Sequence, residues 1–358
     1  MQIALLLALA LPQAKPKVDQ VAVDRAIQKG VTYLKGRIGK YGSLNRRRSE
    51  ELILWTLIHS GLTEADPDVQ ALLKTVLETD LQFTYNVSLQ ALILEEIDRV
   101  RFQPRIAQCA QFLVDNQCEN GQWNYGEPTP FLKDVPTGSK AVASGGGRPA
   151  TSRKTQVVKK LPILQKRKGP PRGDNSNSQY ASLGMRACFD AGIVFPPDVL
   201  AKAEAWWRES IHEGGGWGYL KSSDAGYGSM TAGAVGALTI YLFMQNKPWM
   251  RDKEVVTGME WMSKNFTLTE NPASAEGWQY YYLYALERAG IFYGTERFGA
   301  HEWYPEGAKY LLGEQKPDGS WMAAKSDHEI WDTCFAILFL RRATRPLIDV
   351  ASTDARKK

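Results

Sequence analysis

Apolar positions along the chain fall into two alternating kinds of segment. In one kind they recur every three to four residues, the stripe of a helix with one face on a core. In the other, residues 51–59, 179–191, 231–244, 278–289 and 332–343, nearly every position is apolar. A helix apolar all round has to be buried all round. Residues 69–77 and 87–97 add one more pair of helices. The pattern therefore predicts an all-α chain of about six helical hairpins, with amphipathic helices outside and apolar helices inside.

A repeat underlies the hairpins. An aromatic residue is followed by Gly at +9 and a large apolar residue at +11 in four places: Tyr33/Gly42/Leu44, Phe112/Gly121/Trp123, Trp206/Gly215/Trp217 and Tyr310/Gly319/Trp321. Three residues before each aromatic stands a small residue: Gly30, Cys109, Ala203 and Gly307. Two copies carry Gln at +5 (Gln117, Gln315), and a fifth copy begins at Gly258 and Trp261, with its Gly277-Trp278 delayed by an insertion. The small residue lets a neighbouring helix approach, the glycine suits a left-handed cap after the helix, and the Trp folds back so that its indole N–H reaches a carbonyl. Stacked as an open solenoid, such hairpins expose two apolar ends; closing them into an α/α toroid removes both.

These residues resemble a known superfamily. Residues 306–321, ending Gln315-Lys316-Pro317-Asp318-Gly319-Ser320-Trp321, are similar to the QW motif of squalene/hopene cyclases and protein prenyltransferases, and residues 332–338 are similar to the helix that follows it there. Residues 174–180 and 278–284 resemble the prenyltransferase and squalene oxidase repeat proteins. The likeness spans about residues 24–344. It implies the toroid strongly and an activity only weakly. Squalene cyclases use an Asp-x-Asp-Asp acid cluster and the prenyltransferases hold zinc with Asp-x-Cys and a His; neither pattern occurs here, and Asp332 occupies the position of that His. No metal and no other cofactor is expected.

Net charge is +5, but segment 133–173, from Lys133 to Gly173, holds eleven Lys/Arg and one acid, so the remaining chain is at −5. This segment is rich in Gly, Ser, Pro, Lys and Arg and has no aromatic residue between Lys133 and Gly173. It reads as a flexible insert in the toroid, with binding to an anionic surface as the functional alternative. Without stacking rings it gives no reason to expect specific nucleic-acid binding. Residues 1–14 read as a signal peptide, with an apolar run but no Lys or Arg before it, and 15–23 as a linker; an extracytoplasmic location is the corresponding expectation. Residues 345–358 read as a tail. The most apolar later run, 231–244, has 14 residues and two glycines, too short for a membrane span. Cys109, Cys118, Cys188 and Cys334 form no CxxC pair and read as buried free thiols, the first two on one helix.

Polar residues at the starts of the inner helices open on one mouth of the ring, where helix dipoles present their positive ends. Asp332, with His328 one turn earlier as an imidazole it could orient, and Asp224 are the candidate catalytic residues. Asn175, Gln179, Trp217, Tyr219, Tyr227, Trp278, Tyr280 and Trp331 are the candidate ligand contacts; eleven Trp and fifteen Tyr in the chain suit an apolar, amphipathic or sugar-like ligand. Asp174, Asn177, Ser229 and Asp332 read equally as helix caps. Two functions stay open at this point: a toroid that binds an apolar or amphipathic small molecule, a polymer or a partner protein, and an enzyme acting on an isoprenoid-like or glycan substrate in the central cavity.

Overall fold

A computed structural model describes residues 18–39, 49–135 and 157–347. Residues 1–14, Gly42, Leu44, residues 136–156 of the basic segment and residues 348–358 lie outside the described residues. The described chain is an all-α toroid. Its helices are α1 (Gln20–Lys35), α2 (Glu50–His59), α3 (Pro67–Glu78), α4 (Thr84–Asp98), α5 (Gln103–Asp115), α6 (Asn175–Asp190), α7 (Pro197–Glu209), α8 (Gly228–Met244), α9 (Lys253–Lys264), α10 (Gln279–Tyr293), α11 (Trp303–Glu314) and α12 (Glu329–Arg341).

The even-numbered helices form the inner wall: α2 packs on α4, α4 on α6, α6 on α8, α8 on α10, α10 on α12, and α12 returns to α2. The odd-numbered helices lie outside, and α1 closes the outer layer against α11 and α12. Among the described residues no helix is long and apolar enough to cross a membrane. Composition sets this division. In α8 every residue except Phe243 is buried, whereas α1 buries only Val23, Ala26, Ile27, Gly30, Tyr33 and Leu34 on one stripe. Outer helices start where an acid can cap them: Asp19 accepts from the N–H of Ala22, and Asp66, before Pro67 at the first helical position, accepts from Asp68 and Val69.

One set of hydrogen bonds recurs at three junctions. The indole N–H of Trp123, Trp217 and Trp321 donates to the carbonyls of Leu113, Trp207 and Leu311 at 2.7, 2.8 and 2.8 Å. Their backbone N–H groups donate to the hydroxyls of Ser178, Thr231 and Thr333 on the next inner helix. Gln117 and Gln315 donate to Val199 and Ala26 carbonyls of the next outer helix, both at 2.8 Å. The glycine that follows is not a helix cap, because α5, α7 and α11 have already ended. Gly121, Gly215 and Gly319 instead close a four-residue turn, donating to the carbonyls of Cys118, His212 and Lys316. Their φ angles of 92°, 89° and 93° explain the residue type. At Gly319 a Cβ would also come within 2.5 Å of the Lys29 carbonyl on α1.

Two expectations need correction. Cys118 lies in this turn rather than on a helix with Cys109, since α5 stops at Asp115. All four cysteines are buried free thiols, and burial pushes Cys109, Cys118 and Cys334 up to about 12. Nor is the basic segment a flexible insert throughout. Leu161–Pro162 pairs in parallel with Ile193–Val194, and Leu161 and Ile163 are 1% and 3% exposed. Gln103 and Gln111 donate to the carbonyls of Lys159 and Leu164, and Arg167 donates to the carbonyls of Pro128 and Glu127. Two well-spaced apolar side chains suffice to anchor the strand, although no aromatic residue advertises it.

Candidate functional site

The starts of the inner helices do converge on one mouth of the ring, and aromatic residues dominate it. Trp278 immediately precedes α10 and has φ 62° and ψ 38°, the left-handed region. A bulky residue there is a genuine outlier, the kind of strain that clusters at binding sites. Its indole stacks on the His328 imidazole with centroids 5.1 Å apart, and His328 stacks in turn on Trp331 at 4.7 Å. Trp331 is fixed by its indole N–H donating to Ser49 Oγ at 2.8 Å, and His328 Nε2 lies 2.9 Å from Asp327 Oδ1. Both Trp side chains and the His remain half-buried.

Behind this stack tyrosines from facing inner helices meet. Tyr85 of α4 and Tyr281 of α10 come from opposite sides of the inner wall, and their hydroxyls meet at 3.1 Å. Tyr85 also bonds Ser176 Oγ, and Tyr180 stacks parallel to Tyr281 at 6.1 Å. Deeper along α10, Tyr284 accepts from Trp55 Nε1 at 3.1 Å and stacks on Phe335. Burial raises the phenols of Tyr85, Tyr180, Tyr281 and Tyr284, which are therefore neutral donors and acceptors at physiological pH.

Of the sequence-based candidates, Trp278, His328 and Trp331 are brought together. The others are not. Asn175 is fully buried and saturated: its carbonyl accepts from Trp206 Nε1 and Gln122 Nε2, and its amide donates to the Gly218 carbonyl. Trp217 is buried in the junction described above, and Tyr280 is 1% exposed. Tyr219 is 38% exposed and lies near Asp174 and Tyr227 rather than in the stack, while Tyr227 is half-buried, near enough to Tyr281 and Glu276 that these, after burial, raise its phenol. Gln179 lies deep, accepting from Arg288 Nη2 at 3.1 Å.

The two carboxylates do not act as a pair. Asp224 braces a turn, accepting from the N–H groups of Leu220 and Lys221. Asp332 does not orient His328 and does not cap α12. It sits in the helix's first turn, and its Oδ2 accepts from the Ala323 N–H at 3.0 Å, tying down the preceding loop. Burial raises Asp332 to about 6, with that hydrogen bond opposing the shift. Asp174 does cap its helix, accepting from the Asn177 N–H, whereas Ser229 does not cap α8: Asn271 reaches over from a loop to accept the Ser229 N–H. No group of three His, Cys, Asp or Glu side chains among the described residues could hold a metal ion. Sequence reading missed Tyr85, Tyr180, Tyr281, Tyr284 and Arg288. The signal for Arg288 was present: Glu287-Arg288 interrupts an otherwise apolar inner helix.

The sequence matches no protein-family model and no curated protein. Solved structures do match. The type II terpene cyclase MstE from Scytonema superposes with a TM-score of 0.55 at 11% identity, over 90% of this chain and 99% of the other. A possible member of the GH105 family from Salmonella enterica serovar Paratyphi A gives 0.54 at 9% identity, over 93% and 96%. A protein from Actinoplanes gives 0.51 at 13%, over 90% and 99%. At these identities the likeness concerns the fold alone, and it agrees with the fold that the repeats imply: the chain is an α/α toroid.

Proposed function

We propose that this toroid is a binding protein that receives the flat apolar face of an amphipathic molecule at its aromatic mouth. The left-handed Trp278, held against His328 and Trp331, is the observation that carries the reading. A strained, half-buried indole is kept where a ring system can stack on it, with His328 and the phenol hydroxyls beside it for polar groups. The contact between Tyr85 and Tyr281 argues against a substrate the length of squalene lying along the axis. An extracytoplasmic location through residues 1–14 belongs to the same proposal, and fractionation of tagged protein tests it.

An enzyme of the cyclase or glycan-cleaving kind is the alternative, and one observation favours it: Asp332, raised to about 6, could give up a proton near neutrality. Its carboxylate, however, is already tied to the Ala323 N–H, and the neighbouring carboxylates are engaged elsewhere, Asp327 beside His328 and Glu329 with Lys316. Titration of purified protein with squalene, geranylgeranyl diphosphate, a pentacyclic triterpenoid acid and oligosaccharides, followed by Trp fluorescence, separates the two. We expect saturable quenching by a polycyclic amphiphile, weakened tenfold or more by Trp278→Ala and unaffected by Trp206→Phe. We also expect no stoichiometric zinc and no turnover. Turnover abolished by Asp332→Asn in a protein that stays folded establishes the enzyme reading instead.

A further inference from the structure

Below the tyrosine layer, α10 carries Arg288, only 3% exposed and facing α6 and α8. Its guanidinium lies over the Tyr284 ring, 4.2 Å from the centroid, and 5.5 Å from that of Tyr180. Among the described residues no ion pair joins it to a carboxylate, although Glu287 acts on its charge through space. The adjacent Glu287 is engaged elsewhere, accepting from the Thr344 N–H at 3.1 Å and its hydroxyl at 2.5 Å. Burying a cation without a directly paired counter-charge is unfavourable.

The hydrogen bonding around Arg288 is one-sided. Arg288 Nη2 donates to Gln179 Oε1, but Arg288 Nη1 and Gln179 Nε2 are both fully buried donors without an acceptor. Gln179 is 2% exposed and cannot turn away: a Cβ on Gly233 of α8 would come within 2.4 Å of its amide, so the helices close around it. The phenols of Tyr180 and Tyr284 lie near enough to Arg288 for its charge to favour their ionised forms, and Tyr284, accepting from Trp55, has its own proton to donate. The cluster thus holds one fixed positive charge and a surplus of donors, and its single side-chain acceptor besides the phenols is already used.

We propose that Arg288 and Gln179 form an internal anion site that takes one small monovalent anion, a halide or a lone carboxylate, between Arg288 Nη1 and Gln179 Nε2. Such an ion satisfies both orphan donors, neutralises the buried guanidinium and binds α6 to α10. This site is separate from the aromatic mouth and does not depend on what binds there.

The test uses the full chain in gluconate buffer at constant ionic strength, an anion too large for the cluster. Replacing gluconate by chloride, by bromide or by formate is expected to raise Tm saturably, by about 2 °C or more at full occupancy. A rise with halides but not formate assigns the site to a halide, and the converse assigns it to a carboxylate. Arg288→Met, similar in length and uncharged, is expected to abolish the response. In crystals of the wild type soaked in bromide, one anomalous peak is expected in contact with both orphan donors. Equal Tm in all four salts, together with a water and no bromide at that position, overturns the proposal. So does an undiminished response in Arg288→Met. If that variant fails to fold, the wild-type Tm series and the bromide position decide together.

Discussion

Replacing Asp332 by Asn changes charge with almost no change of shape, and the structure sets both the sign and the size of the effect. Buried at 2% exposure, Asp332 is raised from 3.8 to about 6. Below pH 3.8 the carboxyl is neutral in both folded and unfolded chains and contributes nothing. Between about pH 4 and 6 the unfolded chain releases the proton while the folded chain keeps it, so ionisation favours unfolding. Above pH 6 the penalty is complete, and two pKa units at 1.36 kcal/mol each make it about 3 kcal/mol. Asn accepts the Ala323 N–H through its side-chain carbonyl and carries no such penalty. The stability of Asp332→Asn minus that of the wild type is therefore expected to rise by about 3 kcal/mol from pH 3.5 to pH 7, whatever constant offset the amide introduces. Urea denaturation of both proteins at half-unit pH steps, followed by Trp fluorescence, measures the difference, and titrating groups not coupled to Asp332 cancel in it. A difference that stays flat over this range refutes the assignment of a buried, ionisable Asp332.

Two further outcomes follow from the junctions. Gly319→Val is expected to destabilise by about 1–3 kcal/mol, since a β-branched residue opposes φ of 93° and its Cβ meets the Lys29 carbonyl; thermal melts equal to the wild type's contradict this. Leu161→Ala combined with Ile163→Ala is expected to cost about 3 kcal/mol or more, because both side chains are fully buried; a change under 1 kcal/mol means that residues 157–164 do not anchor the basic segment.

The ring was legible because it is written in periodicity. All-round apolar helices have only one place to go, and the recurring Gly and Trp mark where each hairpin joins the next. What those glycines do was less legible: Gly319 suits a left-handed position wherever it falls, and only the coordinates distinguish a helix cap from the turn beyond it. The candidate site was legible in kind and misread in membership. Asn175, Asp224 and Asp332 are polar at the right end of inner helices, yet each is saturated by a neighbouring loop, and a sequence displays polarity without its partner. Tyr85 and Tyr281 were passed over for the opposite reason. Aromatic residues on a buried helix look like core, and nothing local says that two of them meet across a lumen. Residues 157–168 were misjudged because composition describes the whole basic segment, while Leu161 and Ile163 act one position at a time.

The join between α11 and α1 has a consequence for how the chain is made. Gln315 reaches back 289 residues to the Ala26 carbonyl, whereas the equivalent Gln117 spans only 82 to Val199. Closing the longer loop costs only about 1 kcal/mol more in chain entropy, so the two joins differ little in equilibrium stability. They differ greatly in timing. The small face of Gly30 fits Trp321 and Ile337, which a ribosome adds about 290 residues after it. Until then Val23, Ile27, Tyr33 and Leu34 have no partner from the closing hairpin. Synthesis therefore leaves the apolar stripe of α1 uncovered until α11 and α12 have been made, the kind of transiently exposed surface that chaperones protect.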